Sequence, residues 1–172
     1  MHVTLGATCE DVFYCCLPLY HGAAATSVTS TALSAGASIV VRRKFSVREF
    51  WPDVRKHRIT TFQYIGEICR YLLNQPRVAG ERQHSLRYML GAGLTAEAWQ
   101  RWLERFGPIR VFEGWGATEA NANLINVDNY VGSCGRVPDW SRTNLRLVRY
   151  DVESDSHPRD EQGFYQRCLP GE

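Results

Sequence analysis

Between Leu86 and Phe112 the chain reads as one complete strand, helix, strand unit. Leu86 to Leu90 is apolar and strand-like, and Gly91-Ala92-Gly93-Leu94 turns the chain. Thr95 then caps a helix with Ala98, Trp99, Trp102, Leu103 and Phe106 on one face, Gly107-Pro108 ends it, and Ile109 to Phe112 returns as a strand. A tight crossover of this kind pairs its two strands in parallel, and parallel strands need cover on both faces. The Trp99 and Trp102 pair is accordingly read as core packing.

The upstream residues repeat the alternation. Val12 to Leu17 is an unbroken apolar run ended by Pro18, suited to a doubly buried strand. Gly22 to Ala35 is built from Ala, Ser and Thr and reads as a close-packing helix stopped by Gly36, followed by a strand over Ala37 to Arg43. Ser46 with Glu49 forms a capping box, and Phe45 with Phe50 a hydrophobic staple, so a helix begins there; Pro52 predicts a kink in it. Thr60 to Ile65 is a strand, Gly66 to Asn74 a short helix and Arg77 to His84 a loop. The predicted fold class is α/β: a largely parallel sheet with flanking helices over residues 1–135, and a more irregular, β-rich segment over 136–172. In that later part Asn121, Asn123, Asn126 and Asn129 punctuate a loop, Gly132-Ser133-Cys134-Gly135 turns, and Asn144 to Val152 alternates like a half-exposed strand. Asp151 to Gly163 reads as a surface hairpin or loop.

Composition narrows the function classes. With 172 residues, 44% of them hydrophobic and 22% charged, a packed globular domain is expected. A net charge of +2 with scattered arginines argues against nucleic acid, and Lys44 and Lys56 are the only lysines. No apolar run approaches 18 residues and no signal core is present, so no transmembrane span is expected. Cys9, Cys15, Cys16, Cys69, Cys134 and Cys168 show no Cys-x-x-Cys spacing and read as buried, reduced thiols of a cytoplasmic protein.

The chemistry gathers at strand ends, where parallel sheets bind ligands. Phe112-Glu113-Gly114-Trp115-Gly116-Ala117-Thr118-Glu119 combines glycines for close backbone approach, an aromatic face for a base, a hydroxyl for phosphate oxygen and a carboxylate for Mg2+. Gly91-x-Gly93-x-x-Ala96 between strand and helix, with Glu113 about 20 residues on, also meets the context of a dinucleotide fingerprint. The same glycines fit a plain tight turn or another nucleotide pocket. His21, after a proline turn, reads most simply as a histidine satisfied by backbone, and Glu119 as a solvated carboxylate at a helix start.

Taken together, Leu17-Pro18-Leu19-Tyr20-His21, Gly91-Ala92-Gly93-Leu94 and Gly114-Trp115-Gly116-Ala117-Thr118-Glu119 resemble, in order and separation, successive motifs of the adenylate-forming enzymes: acyl-CoA synthetases, luciferase and peptide-synthetase adenylation domains. Tyr64 to Leu73, Glu119-Ala120-Asn121 and Gly132 to Gly135 resemble the fatty acid transport protein and very-long-chain acyl-CoA synthetase branch. The resemblance spans Asp11 to Glu172. It implies that Gly91, Ala92, Gly93 and Leu94 line an adenine pocket, that Trp115 stacks on the base where the family usually has tyrosine, and that Thr118 contacts phosphate. It further implies that Glu119 holds Mg2+ and that His21 lies near the carboxylate and the acyl tunnel. ATP, fatty acid and coenzyme A would be the substrates, with acyl-AMP as intermediate and peripheral membrane association compatible. The family's lysine-bearing phosphate loop, its ribose-binding Asp and its lysine-bearing C-terminal domain have no match within the 172 residues. The resemblance therefore predicts part of an N-terminal adenylation domain that does not complete catalysis alone. A noncatalytic nucleotide-binding or interaction fragment and an NAD-binding dehydrogenase fragment are the alternatives.

Overall fold

A computed structural model describes residues 2–117, 119, 123–137, 139–143, 145–169 and 171. Two compact units divide the chain, Met1–Arg136 and Val137–Glu172. In the first, α1 (His2–Leu5) and β1 (Val12–Cys15) precede a π-helix (Ala23–Thr29) that runs straight into α2 (Ser30–Ala35). Then come β2 (Ser38–Val41), α3 (Val47–Lys56), β3 (Thr61–Ile65), α4 (Gly66–Leu73), β4 (Tyr88–Ala92), α5 (Ala96–Phe106), β5 (Arg110–Gly116) and β6 (Asn123–Ile125). The strands form one sheet in the order β2-β1-β3-β4-β5-β6, parallel throughout except for the β5–β6 pair.

Local signals set most helix ends. Ser46 Oγ accepts the Glu49 N–H at 3.4 Å, and the Phe45 and Phe50 rings lie 6.2 Å apart as the staple requires. Thr95 Oγ1 accepts the Ala98 N–H at 3.2 Å, and Gly36 closes α2 at φ 67°. Pro52 does not break α3, which runs through it with the proline exposed to solvent. The stretch from Gly22 to Ala35 is helical as expected, but over Ala23–Thr29 it takes the wider π geometry. There the Thr26 and Ser30 hydroxyls donate to the carbonyls of Gly22 and Thr26, the back-bonding open to Ser and Thr on a helix.

Alternation along the strands sends side chains to two clusters. Tyr14, Phe62, Tyr64, Met89 and Val111 meet Phe50 and Val54 of α3, Ile68, Cys69 and Leu72 of α4, and Trp99, Trp102 and Phe106 of α5. Phe13, Cys15, Leu90 and Phe112 meet Ala24, Val28 and Ala32 on the opposite face. Both Trp99 and Trp102 are fully buried, with Trp102 stacked 6.1 Å from Phe62.

At the amino ends of the strands one carboxylate joins three elements. Asp11 Oδ1 accepts from the Thr60 hydroxyl and from Arg87, each at 2.6 Å, while Oδ2 accepts the Thr8 N–H at 2.9 Å. Burial alone would raise the pKa of Asp11. The Thr60 hydroxyl, the Thr8 amide and Arg87 outweigh it and hold the carboxyl below its usual range.

Two sequence expectations change here. The polar stretch after Glu119 is not all loop, because Asn123–Ile125 pairs with β5; Ala120 and Asn121 lie outside the described residues. The alternation over Asn144 to Val152 gives no extended strand. Among the described residues it yields isolated bridges, Val148 with Arg167 and Asp151 with Ser156, while Arg159 bridges Tyr165; Asn144 is outside them. No helix of the described residues is long and apolar enough to cross a membrane.

Candidate functional site

The carboxyl ends of β1, β3, β4 and β5 lie on one edge of the sheet because these strands are parallel. Gly91 pairs with Glu113 across β4 and β5, so the stretch after Gly91 and the stretch after Glu113 emerge side by side. The sequence reads Gly91 to Leu94 as a turn, but Gly91 and Ala92 are the last residues of β4, paired with Tyr64 and Ile65 of β3. Close approach explains the first glycine: a Cβ on Gly91 would lie 2.1 Å from the Tyr64 carbonyl oxygen. Gly93 is the residue that needs a left-handed backbone, at φ 85°.

The second glycine stretch differs from expectation in the same way. β5 runs on through Glu113, Gly114, Trp115 and Gly116 and pairs antiparallel with β6, Trp115 opposite Leu124. At Gly114 an added Cβ would come within 3.2 Å of the Leu124 carbonyl. Positions 111, 113 and 115 alternate to one face, so Trp115 shares the face on which Glu113 reaches the Gly93 turn. Trp115 is 51% exposed. Ala117 and Glu119 follow, both exposed, and Thr118 lies outside the described residues.

Glu113 is buried, and both of its oxygens are engaged. Oε1 accepts the backbone N–H of Gly93 at 2.6 Å and of Leu94 at 3.2 Å, while Oε2 accepts the Tyr64 hydroxyl. Burial and the Glu113 carboxylate together push the Tyr64 hydroxyl far above its ordinary value, so Tyr64 stays a donor. A carboxylate at 6% exposure whose lone pairs face two amides and a phenol is not offered to a ribose. The dinucleotide role for Glu113 therefore does not fit its geometry.

Asn126, expected as loop punctuation, is buried and holds the next loop together. Its amide nitrogen donates to the carbonyls of Tyr130 at 2.6 Å and Ser133 at 2.8 Å, and its oxygen accepts the Tyr130 N–H at 3.1 Å. Its own N–H donates to the Glu113 carbonyl at 2.8 Å. The loop closes with Gly132 against Ala96 at the start of α5 and with Gly135 on the Ile125 backbone.

His21 sits on the same edge but two strands from β4. It is exposed, and its Nδ1 accepts the Ala23 N–H at 3.2 Å, which puts the ring proton on Nε2. Among the described residues no three His, Cys, Asp or Glu side chains group to hold a metal by themselves. The exposed Glu119 fits a cation such as Mg2+, which uses one or two carboxylates and takes its other ligands from phosphate oxygens and water. Tyr64 and Gly66 carry no local signal of their roles, since each acts on a partner supplied by another element, and Asn126 acts on backbone carbonyls of its own loop.

Residues 1–163 match the family described as AMP-binding enzyme. The human long-chain fatty acid transport protein 3 is 43% identical over 166 residues, which is 95% of this chain and 24% of that protein. Human long-chain fatty acid transport protein 6 is 38% identical over 169 residues, 97% of this chain and 27% of that protein. The chain thus spans about a quarter of the length of these relatives. Among solved structures, ATP-bound MatB from Rhodopseudomonas palustris superposes with a TM-score of 0.73 at 23% identity, over 99% of this chain and 32% of that one. A benzoate CoA ligase from Burkholderia xenovorans LB400 gives 0.72 at 22% identity, over 98% and 32%. Those likenesses establish the fold, a portion of the mostly parallel domain shared by such ligases. By its family match the chain belongs to the AMP-binding enzymes, the adenylate-forming superfamily its motifs resemble, with long-chain fatty acid transport proteins among its relatives.

Proposed function

We propose that the chain is the adenine-binding portion of an ATP-dependent fatty acyl-CoA synthetase acting on long- or very-long-chain fatty acids. The observation that carries the reading is the pairing of Gly91 with Glu113, which sets the Gly93–Leu94 turn beside the half-exposed Trp115 at the carboxyl edge of a parallel sheet. A planar base fits between a glycine turn and an aromatic face. Gly91, Ala92, Gly93, Leu94, Gly114, Trp115, Gly116 and Ala117 surround AMP in this reading, and Thr118 contacts phosphate. The names of the relatives support a long-chain fatty acid as the second substrate.

In the reaction the fatty acid carboxylate oxygen attacks the α-phosphorus of ATP and pyrophosphate leaves, giving acyl-AMP. The coenzyme A thiol then attacks the acyl carbon, forming the thioester and releasing AMP. Positioning and charge neutralisation dominate such chemistry. Glu119 would hold Mg2+, which neutralises phosphate charge when bound. Trp115 and the turn orient the base, and His21 stands toward the acyl carboxylate. The reading puts the chain in the cytoplasm, peripheral to membranes at most.

Lys44 and Lys56, the only lysines, sit in no context that matches a lysine motif of the family, which favours AMP binding without complete catalysis by the 172 residues alone. Fatty-acid-dependent exchange of pyrophosphate into ATP tests both parts. The chain alone is expected to bind AMP in isothermal titration and to show no exchange. Replacing the matching residues of human long-chain fatty acid transport protein 3 with this chain should give a hybrid that exchanges. A chain that fails to bind AMP, with a folded hybrid that fails to exchange, overturns the reading; exchange by the chain alone overturns its catalytic incompleteness.

A further inference from the structure

Two stretches far apart in sequence hold the Gly93–Leu94 turn, one around Tyr64 and Gly66 and the other at Glu113. Glu113 of β5 accepts both turn amides on one oxygen, Tyr64 of β3 donates to the other oxygen, and Gly66, the first residue of α4, lies against Gly93 backbone to backbone. Glu113 and Trp115 are two residues apart on one face of one strand. A single carboxylate therefore ties the turn to the strand that carries the aromatic ring.

We propose that Glu113 and Tyr64 are positioning residues for the nucleotide: they touch no ligand but hold the Gly93–Leu94 turn at the spacing from Trp115 that an adenine ring requires. The inference rests on the AMP reading above. Its physical basis is that a turn held only by a left-handed glycine would have soft torsions, whereas two amides accepted by one buried carboxylate fix two peptide planes at once. Tyr64 fixes the carboxylate in turn. Its ring is wedged in the core beside Phe62, and its hydroxyl occupies the oxygen that the turn does not use. Loss of the Glu113 side chain would leave the buried Leu94 amide and the Tyr64 phenol, and the Gly93 amide at the surface, without their acceptor, and the turn would be free to move toward or away from Trp115.

The variants separate positioning from general stability. In Glu113→Gln the amide oxygen can still accept both turn N–H groups, and its NH2 can donate to the Tyr64 oxygen, so the geometry survives without the charge. Glu113→Ala removes all of it, and Tyr64→Phe removes only the second support. AMP affinity of this 172-residue chain, by isothermal titration, is expected to fall about tenfold or more in Glu113→Ala, about threefold in Tyr64→Phe, and less than about twofold in Glu113→Gln. Hydrogen exchange of the Gly93 and Leu94 amides should speed in the same order. If the folded Tyr64→Phe and Glu113→Ala proteins lose amide protection but bind AMP as the parent does, the inference is wrong and the AMP reading stands. If the parent chain binds no AMP, the AMP reading fails first and takes the inference with it. Should Glu113→Ala not fold, unchanged AMP affinity in the folded Tyr64→Phe protein is enough to overturn the inference, and a graded loss there upholds it.

Discussion

Gly66 and Gly93 touch backbone to backbone: a Cβ on Gly66 would lie 1.7 Å from the Gly93 carbonyl oxygen and 2.5 Å from its carbon. Alanine at a helix position normally gains up to about 1 kcal/mol over glycine. Here the clash is with a neighbouring main chain that cannot rotate away, and overpacking of that kind costs about 3 kcal/mol. Gly66→Ala is thus expected to destabilise on balance by about 2 kcal/mol in urea unfolding. It should also weaken AMP binding by displacing the turn. An unchanged unfolding midpoint would refute the contact.

Asn126 tests how the loop after β6 is built. Its NH2 group feeds two carbonyls, which a carboxylate cannot do. Asn126→Asp is expected to cost about 2–3 kcal/mol, since it sets oxygen lone pairs against the Tyr130 and Ser133 carbonyls in a buried site. Asn126→Ala should also destabilise. Asn129→Ala gives up one side-chain bond, from the Val111 N–H at 2.9 Å, against the three made by the Asn126 side chain, and should cost less in the same urea experiment.

His84 makes stability depend on pH. Burial lowers its proton affinity, with the Arg55 charge adding to that, against the opposing pull of the Phe106 carbonyl. Nε2 bonds that carbonyl at 2.9 Å, Nδ1 accepts the Leu86 N–H at 3.2 Å, and Trp51 stacks on the ring at 5.2 Å, so the neutral form is the one that fits. The folded value lies below the unfolded one. The unfolded chain therefore takes up its proton first as pH falls, and the contribution of His84, complete above about pH 6.5, is lost below it as pH approaches the lowered folded value. Urea midpoints should drop between about pH 7 and pH 5 and flatten in His84→Gln. Equal slopes in the two proteins would remove His84 from the account.

Thiol reactivity should sort by burial. Cys9 is exposed, Cys134 and Cys168 are half-buried, and Cys15, Cys16 and Cys69 are buried. Burial pushes the Cys16 thiol up to about 12 and the Cys69 thiol well above its usual value. Titration of the native chain with an aromatic disulfide reagent should show one fast thiol, abolished in Cys9→Ser, while the three buried thiols react only when urea unfolds the chain. Fast reaction of Cys15, Cys16 or Cys69 in the folded protein would contradict the packing described here.

What the sequence made legible was local. The Ser46 cap, the Thr95 cap, the Gly36 stop and the apolar face of α5 all depend on residues within one or two turns of each other, and all appear where the pattern puts them. The glycines of the site misled for a physical reason. Gly91 and Gly114 look like turn residues in isolation, yet they are strand residues kept small by a neighbouring backbone, a requirement that exists only once β3 and β6 are in place. Asn126 lies in a loop as its sequence suggests, but its burial has no local signal because its partners are backbone carbonyls, which leave no mark in a sequence. Tyr64 and Glu113 are 49 positions apart, and nothing within either segment announces the other. The sequence reads all six cysteines as buried, whereas Cys9 is exposed and Cys134 and Cys168 are half-buried.

The Asp11 cluster has a consequence for how such a sheet can diversify. It fastens β1, β3 and β4 together at their amino ends with charge-assisted bonds, while at the opposite ends the chain is shaped by glycine, one carboxylate and short connecting segments. Part of what holds the strands in line thus lies away from the chemistry. Changes in the residues that follow β4 and β5 can then retune what is bound there while the Asp11 cluster still fastens the amino ends of β1, β3 and β4.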